Sequence, residues 1–361
     1  MNPSKKPNLL VAKGSFKAMG GAERDLIRTL PALKQSFDII VATIHDTPEL
    51  TEICQREGIE LLHPAEKWNL PKGVLSTILD RGTDSASLAW QSIPRIQEHL
   101  EECDAIHLVS GDGSLPLINH IPEEKLVHLY LLEPHRGLYE DTLHRRVDGS
   151  PKQNIFITNL LLSRARKRDK NLLNSLIRRK NSKFSGNSKF STDRAKTVYG
   201  IDAEILWPCV DISEFPPDDN YDNQNPYPYK DDYVVSIGRA SWAKGTWETI
   251  AMLEGTELSL AHVGGGESKS ISKLVNHAKS KDVGLWISPK ISSPDLVSLM
   301  KGARAIVSMA HSESFGLSPI EAFAVGAPAV FVDEGGFRET IVDGKNGRLI
   351  HRNDINSWHN A

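Results

Sequence analysis

Two glutamates, Glu313 and Glu321, have seven residues between them on a segment that runs from an apolar strand into a short helix. Carboxylates accept hydrogen bonds from hydroxyl groups, so this pair could bind a polyhydroxylated ligand. Ser318 followed by Pro319 is typical of an N-cap and a first helical residue, and Ser318 with Glu321 matches a capping box. Glu321 therefore has a structural interpretation as well, whereas Glu313 lies in the loop before the helix and has no such interpretation.

Two cations, Arg239 and Lys244, follow a different apolar strand and flank a short loop. Arginine offers a planar fork of donors and lysine offers a point charge, a combination that suits a diphosphate. Solvated surface cations are the alternative interpretation, because most Arg and Lys side chains are exposed.

Glycines follow the predicted strands at several places, where backbone N–H groups could approach an anion closely. Gly20 and Gly21 precede an amphipathic helix, and Gly265 lies in a run of three glycines. Their spacing is not that of the GxGxxG dinucleotide motif. An ordinary turn is the alternative at each place.

These residues lie at the ends of short, continuous apolar runs, each followed by a segment with helical spacing. Continuous runs are typical of strands that are buried on both faces of a parallel sheet. The predicted strands are NLLVAKG, FDIIVATIH, IELLHP, DAIHLVSG, LVHLYLLEP, AEILWP, YVVSIGR, LSLAHVGG, GLWISP, RAIVSMA and APAVFVD. The alternation predicts an α/β fold of doubly wound layers, in which ligands bind at the carboxyl ends of the strands.

The length of 361 residues accommodates two domains. Phe215–Asp232 is rich in Pro, Asn and Asp, lacks periodicity, and is predicted to be a linker or long surface loop. The strand pattern restarts after it. We therefore predict two Rossmann-like domains, residues 1–208 and 209–361, that face each other across a ligand-binding cleft.

Composition excludes several other classes of protein. The net charge of −3 gives no argument for nucleic-acid binding by the whole chain. Cys54, Cys103 and Cys209 form no CxxC pair, and free thiols in a reducing compartment are the simplest interpretation. The sequence shows neither a signal peptide nor a run long enough to span a bilayer, so a cytoplasmic protein is expected.

Five segments, in this order along the chain, resemble motifs of the retaining glycosyltransferases of family 4, which have the GT-B fold. The segments are GGAER (Gly20–Arg24), YGIDAEILWPCVDISEF (Tyr199–Phe215), GRASWAKG (Gly238–Gly245), ESFGLSPIE (Glu313–Glu321) and GGFRETIVDGKNGRLI (Gly335–Ile350). The fourth matches the E-x7-E signature of that family. The family normally closes with further helices, the last of which crosses back to the first domain, so the C-terminal end of this chain is expected to be short.

The resemblance implies a donor site for a nucleotide diphosphate-sugar in the second domain. Arg239 and Lys244 would bind the diphosphate, Glu313 would accept hydrogen bonds from the transferred sugar, and Glu321 would bind the ribose hydroxyls. The implied donor-binding residues are Gly20, Gly21, Gly238, Arg239, Lys244, Gly265, Glu313, Phe315, Gly316, Leu317 and Glu321. Such enzymes are usually independent of metals, so neither a metal nor a cofactor is expected, and the nucleotide sugar is a substrate.

The acceptor side departs from the family pattern. Tyr130–Asp141 resembles a Y-x-H-x-P-x-R segment, but Leu132 occupies the histidine position and His135 lies elsewhere. Glu133 and His135 are therefore candidates for supporting the reacting centre, with Arg239, Lys244 and Glu313 as the other catalytic candidates. The alternative is that both are loop residues without a chemical role. A general base is dispensable if the leaving phosphate takes the acceptor's proton.

A basic segment, Leu160–Phe184, is the remaining feature. Its possible apolar stripe comprises Leu161, Leu172, Leu173, Leu176 and Ile177. The segment could lie on an anionic membrane as a peripheral contact, bind phosphate groups of an acceptor, or be a solvated helix.

The expected function is transfer of a hexose, with retention, to a glycan, a lipid-linked molecule or another hydroxyl acceptor. Two alternatives remain open. One is a non-catalytic GT-B protein that binds nucleotide sugars or glycans, and the other is a GT-B epimerase or phosphorylase.

Overall fold

The computed structural model describes residues 5–215 and 225–361, which form two compact units. The first unit runs to Tyr139 and resumes over Ile155–Cys209, and the second combines Glu140–Asn154 with the chain from Val210 onward. The sequence analysis assigned residues 140–154 to the first domain. The structure packs them with the second unit instead, because Val147 is buried in that unit's core.

The first unit contains one parallel seven-stranded sheet in the order β3-β2-β1-β4-β5-β6-β7. Its strands are β1 (Asn8–Lys13), β2 (Asp38–Ala42), β3 (Glu60–Leu62), β4 (Ala105–Val109), β5 (Leu126–Tyr130), β6 (Ser182–Gly186) and β7 (Glu204–Ile205). Its helices are α1 (Gly21–Ser36), α2 (Pro48–Glu57), α3 (Val74–Ile78), α4 (Arg81–Gln91), α5 (Ile96–Glu102), α6 (Arg136–Tyr139), α7 (Ile155–Leu161), α8 (Ser163–Ile177) and α9 (Lys189–Tyr199).

The central strand β1 shows why its sequence is continuously apolar. Leu9 and Val11 pack into one hydrophobic cluster, and Leu10 and Ala12 pack into a second. Successive side chains of a strand point to opposite faces, so both faces of this sheet are covered and neither can be polar.

The second unit repeats the arrangement with six parallel strands in the order β10-β9-β8-β11-β12-β13. Its strands are β8 (Tyr233–Ile237), β9 (Ser259–Val263), β10 (Leu285–Ser288), β11 (Ile306–Ser308), β12 (Ala329–Val332) and β13 (Arg348–Ile350). Its helices are α10 (Thr246–Met252), α11 (Ser268–Ser280), α12 (Ser293–Lys301), α13 (Ser318–Ala324), α14 (Phe337–Thr340) and α15 (Ile355–Asn360). In both sheets the order reverses after the first strand of the unit, which is the doubly wound topology predicted from the sequence.

Every strand predicted from the sequence is present, and two further strands were missed. β6 has the sequence SKFSG and is largely polar, and β13 is only three residues long. Neither carries the continuous apolar run on which the prediction depended.

The predicted linker Phe215–Asp232 lies partly outside the described residues, at positions 216–224. From residue 225 the chain already belongs to the second core, because Tyr227 is buried and stacks on Tyr233 with ring centroids 4.1 Å apart. In the described parts of the chain, no helix is both long enough and apolar enough to cross a membrane.

Candidate functional site

The second unit brings Lys244 and Glu313 together. Lys244 ends a short turn after β8, and Glu313 lies in the loop after β11, the strand next to β8 in the sheet. The lysine Nζ donates to a glutamate Oε2 at 2.5 Å, and 35% and 19% of the two side chains remain exposed. The pair is therefore accessible to a ligand, as a buried structural ion pair would not be.

The other predicted donor-side residues lie in the same set of loops at the carboxyl ends of the strands. Arg239 is exposed and shares the loop after β8 with Lys244. The remaining residues of this set are Gly238 after β8, Gly265 after β9, and Phe315, Gly316, Leu317 and Glu321 after β11. Parallel strands place these loops along one edge of the sheet, which explains why residues distant in sequence meet there.

Two glycines make the close packing of these loops possible. Gly245 has a φ of +66°, and a Cβ there would lie 2.0 Å from the carbonyl oxygen of Met309. Gly335 has a φ of +58°, and its Cβ would lie 2.5 Å from the carbonyl oxygen of Glu313. A side chain at either position would push away the loop that carries Glu313, and both backbone angles disfavour residues other than glycine.

The helix start at Ser318 differs from the prediction. α13 begins at Ser318, Leu317 is its N-cap, and no side chain caps it. Ser318 is thus already the first helical residue, and Glu321 lies one position beyond the place that a capping box requires. The predicted capping box is wrong, so that structural explanation of the half-buried Glu321 is removed.

Arg352 organises the loop after β11, and no motif pointed to it. Its guanidinium donates to the carbonyl oxygens of Met309 at 2.7 Å and Ala310 at 3.3 Å. It also pairs with Glu248 at 3.1 Å and Glu334 at 2.7 Å, and only 13% of its side chain is exposed. Burial works to raise the pKa of Glu334, but the hydrogen bond and charge of Arg352 lower it below its ordinary value.

His311 connects this cluster to the loop after β8. Its Nε2 lies 2.7 Å from a carboxylate oxygen of Glu248, and its ring stacks on Trp242 with centroids 4.7 Å apart. Trp242 belongs to the turn that ends in Lys244. The positions of Lys244 and Glu313 are therefore coupled through packed side chains as well as through their own ion pair.

In the first unit, Gly20 and Gly21 form the start of α1. The N–H of Gly20 donates to a carboxylate oxygen of Glu23 at 2.8 Å, and Glu23 pairs with Lys13 at 3.1 Å. Lys13, at the end of β1, is only 2% exposed and also donates to the carbonyl oxygen of Ser110 at 3.1 Å. This buried ion pair fixes the glycine loop against the strand ends. The sequence did not predict it, because Lys13 ends an apolar run and nothing in that run indicates a partner.

A cavity of about 210 Å³ opens in the first unit at the carboxyl end of β4. His135, Asp112 and Asp169 line it together with apolar side chains that include Trp68 and Leu162. His135 Nε2 lies 3.7 Å from Asp112 Oδ1, and the hydroxyls of Tyr139 and Tyr199 donate to Asp169 at 2.7 and 2.8 Å. The lining thus combines hydrogen-bond acceptors with apolar side chains.

The pKa of His135 depends on these neighbours. Partial desolvation works to lower this pKa, although 46% of the side chain is exposed, but the nearby carboxylates of Asp112 and Asp169 raise it above the ordinary value. Glu133, the other acceptor-side candidate, lies 3.9 Å from Arg136 and is not among the residues that line the cavity. The structure therefore distinguishes the two candidates by their surroundings.

Within residues 5–215 and 225–361, no three His, Cys, Asp or Glu side chains are arranged to hold a metal ion. The charged clusters described above are ion pairs between carboxylates and cations.

Comparison with known proteins agrees with this fold. Residues 217–361 match the family described as glycosyl transferases group 1. The chain is 32% identical to the D-inositol 3-phosphate glycosyltransferase of Pseudarthrobacter chlorophenolicus, over 28% of this chain and 24% of that protein. It covers between 24% and 48% of the length of the first curated relatives that it matches.

Two solved structures resemble the chain over nearly its whole length. One is Alr3699/HepE of Anabaena in complex with UDP and glucose, with a TM-score of 0.66, 17% identity, and coverage of 97% of this chain and 89% of that one. The other is the sucrose-phosphate synthase of Thermosynechococcus elongatus, with a TM-score of 0.68, 16% identity, and coverage of 99% and 88%.

The predicted fold class is confirmed: the chain has two Rossmann-like domains of the GT-B class. The predicted resemblance to a glycosyltransferase family is also confirmed by a family match over residues 217–361, which lie within the second unit. The role of the E-x7-E residues stays a prediction.

Proposed function

We propose that this protein is a retaining glycosyltransferase that transfers a hexose from a nucleotide diphosphate-sugar to a hydroxyl acceptor. The observation that carries the proposal is the accessible Lys244–Glu313 pair, at 2.5 Å, at the carboxyl ends of two adjacent strands. Lys244 could bind phosphate there, and the adjacent carboxylate of Glu313 could accept hydrogen bonds from sugar hydroxyls. The named activity of the relative and the UDP and glucose bound to a similar structure support the same chemistry.

The pair suggests how the donor would be received. In the absence of ligand, Lys244 and Glu313 neutralise each other. A donor diphosphate would bind the Lys244 ammonium in place of Glu313, and it would also bind the exposed Arg239, because charge-assisted hydrogen bonds to phosphate are strong. Glu313 would then accept hydrogen bonds from the transferred hexose, and Glu321 would face the ribose.

The proposed mechanism relies on positive charge at the leaving group. Arg239 and Lys244 would stabilise the charge that develops on the diphosphate as the bond to the sugar breaks. The leaving phosphate oxygen would accept the proton of the attacking hydroxyl on the same face of the sugar, which gives retention. These cations supply the charge that a metal would otherwise supply, so we propose a reaction that needs neither a metal nor a cofactor.

The cavity of the first unit is the proposed acceptor site. Asp112 and Asp169 would accept hydrogen bonds from acceptor hydroxyls, and the raised pKa of His135 favours its protonated form, which donates hydrogen bonds. The acceptor is proposed to be a glycan, a lipid-linked molecule or another hydroxyl compound. Glu133, which lies beside Arg136, would position the acceptor loop.

The first test is a thermal-shift panel of nucleotide sugars, since a specific donor should raise the melting temperature by mass action. The best donor is then used in a transfer assay, with the anomeric configuration of the product determined by NMR. Lys244→Ala and Glu313→Ala should each abolish transfer while the fold survives. Lys281→Ala is the matched control, because it removes an ion pair of the same unit, 2.7 Å from Glu254, at the far end of α11.

Three outcomes would contradict the proposal. Full transfer activity in both site variants would refute the assignment of the site. Donor binding with neither transfer nor donor hydrolysis would identify a non-catalytic nucleotide-sugar-binding protein instead, and product with inverted configuration would refute retention.

A further inference from the structure

The basic segment does not use the apolar stripe that its sequence suggested. Leu172, Leu173 and Leu176 of α8 are buried in the core of the first unit, so they cannot contact a membrane. The prediction that these leucines could contact a membrane is therefore wrong. Helical spacing alone does not tell whether an apolar stripe packs on the protein's own sheet or faces a partner.

The helix just before it is exposed and apolar. In α7, the side chain of Phe156 is 80% exposed, that of Ile157 is 54% exposed, and that of Leu160 is 74% exposed. Burial of these side chains would be favourable, and large neighbouring apolar side chains in solvent often indicate an interaction site.

A second helix, α3, also exposes apolar side chains. In α3, Val74 is 63% exposed and Leu75 is 60% exposed, whereas Ser76 and Thr77 line the cavity. The start of α8 contributes Leu162 and Ala165 to the same cavity, and both α3 and α7 contact α8. The two apolar helices therefore pack against the same helix. We call Val74, Leu75, Ile78, Phe156, Ile157 and Leu160 the apolar rim.

Exposed cations lie on the elements next to the apolar rim. Lys72 is in the loop before α3, Arg81 begins α4, and Arg164, Lys167 and Lys170 lie on α8, which contacts both α3 and α7. The nearby carboxylates of Asp80 and Asp84 are already paired with Arg168, at 3.3 and 2.5 Å. The surface thus combines exposed apolar side chains with positive charge.

We propose that the apolar rim docks on an anionic lipid bilayer, with its apolar side chains at the headgroup boundary and the cations against lipid phosphates. Short amphipathic helices bind membranes in this way, and each cation near an anionic surface strengthens the binding. A symmetric contact with a second copy of the chain is disfavoured, because it would bring the same cations face to face. Docking would bring α3, whose Ser76 and Thr77 line the cavity, to the membrane surface, and it does not depend on the proposed transfer reaction.

The test is co-sedimentation of the full chain with vesicles of phosphatidylcholine and phosphatidylglycerol in equal amounts. The protein should bind these vesicles, bind pure phosphatidylcholine vesicles weakly, and be released by salt. The double variant Phe156→Glu/Leu160→Glu should lower the bound fraction at least about tenfold. It removes two apolar side chains that the bilayer would bury, and it adds negative charge that anionic lipids repel. Leu126→Glu is the matched control: Leu126 is 44% exposed at the opposite edge of the same sheet and should leave binding unchanged.

Circular dichroism and the melting temperature confirm that the variants are folded. A second variant, Val74→Ser/Leu75→Ser, tests the other helix without adding charge and should weaken binding as well. Absence of binding by the unaltered protein would overturn the proposal, as would binding that the rim variants leave unchanged. If light scattering shows a dimer that the rim variants dissociate, and vesicles are not bound, the surface is instead a contact between two copies.

Discussion

Replacing Arg352 by methionine tests whether a residue outside every motif holds the loop that carries Glu313. Methionine keeps much of the length of the arginine side chain but donates no hydrogen bond. The carbonyl oxygens of Met309 and Ala310 would lose their donor, and Glu248 and Glu334 would lose their shared cation.

The magnitude follows from these contacts. Leaving a buried acceptor without a partner costs roughly 1–3 kcal/mol. The carboxylates add less, because Glu248 keeps its contact with His311 and the side chain of Glu334 is 35% exposed, so that solvent screens its charge. We expect the free energy of unfolding to fall by about 3 kcal/mol in total. The melting temperature should then fall by roughly 6–12 °C.

The assay is thermal unfolding followed by circular dichroism, with donor affinity measured on the same samples. Donor affinity should fall as well, since the loop of Glu313 is no longer fixed. Arg352→Lys should be intermediate, because an ammonium cannot bridge two carboxylates and two carbonyls as a guanidinium does. A melting temperature and a donor affinity both equal to those of the unaltered protein would refute the reasoning.

The effect also depends on pH in a known direction. Arg352 lowers the pKa of Glu334, so this pairing stabilises the fold above the ordinary glutamate pKa. The contribution is lost as the pH falls through the lowered pKa. The difference in stability between the unaltered protein and Arg352→Met should therefore narrow in acid.

Three further predictions concern the loops and the cavity. Gly245→Ala should lower the free energy of unfolding by more than about 1 kcal/mol, because φ is +66° and the new Cβ would clash with backbone; thermal unfolding measures this. Lys13→Met should cost roughly 3–5 kcal/mol in urea unfolding, since it leaves Glu23 buried without its cation. His135 should titrate above the ordinary imidazole pKa in an NMR experiment, and Asp112→Asn should lower that pKa. Any stability from this raised pKa is present at low pH and lost as the pH rises through it.

Each of these predictions has a control. Gly255 also has a positive φ, +82°, but a Cβ there meets nothing within 4 Å, so Gly255→Ala isolates the backbone strain from the clash. If the two alanine variants are equally stable, the clash argument at Gly245 fails. The double variant Lys13→Met/Glu23→Leu should recover part of the stability lost by Lys13→Met, and no recovery would contradict the ion-pair explanation. An unchanged His135 pKa in Asp112→Asn would show that another group raises it.

The sequence predicted the fold well because the signal was local and repeated. Buried parallel strands such as β1 and β8 must be apolar on both faces, so their runs are continuous and easy to recognise. The prediction failed at β6, whose side chains are mostly polar, and at β13, which is too short to show a pattern. It also failed at residues 140–154, where no periodicity indicates which core Val147 joins.

The candidate site was predicted in part. Charged residues and glycines directly after strands predicted that Lys244 and Glu313 lie in loops at the same edge of the sheet, and their side chains are in contact there. The capping box at Ser318 was wrong because the sequence cannot fix which residue first adopts helical angles, and a shift of one position changes which side chain can cap.

The sequence by itself determined most of the strands, the class of fold, and which loops carry cations, carboxylates and glycines. Only the tertiary structure decided how these groups are paired. Lys244 and Glu313 are 69 positions apart, and Arg352 is 43 positions from Met309. Periodicity describes which face of an element is buried, but contacts between loops depend on the strand order of the sheet. Periodicity also could not show that the leucines of α8 are buried in the core of the first unit. The exposed apolar side chains lie on α3 and α7 instead.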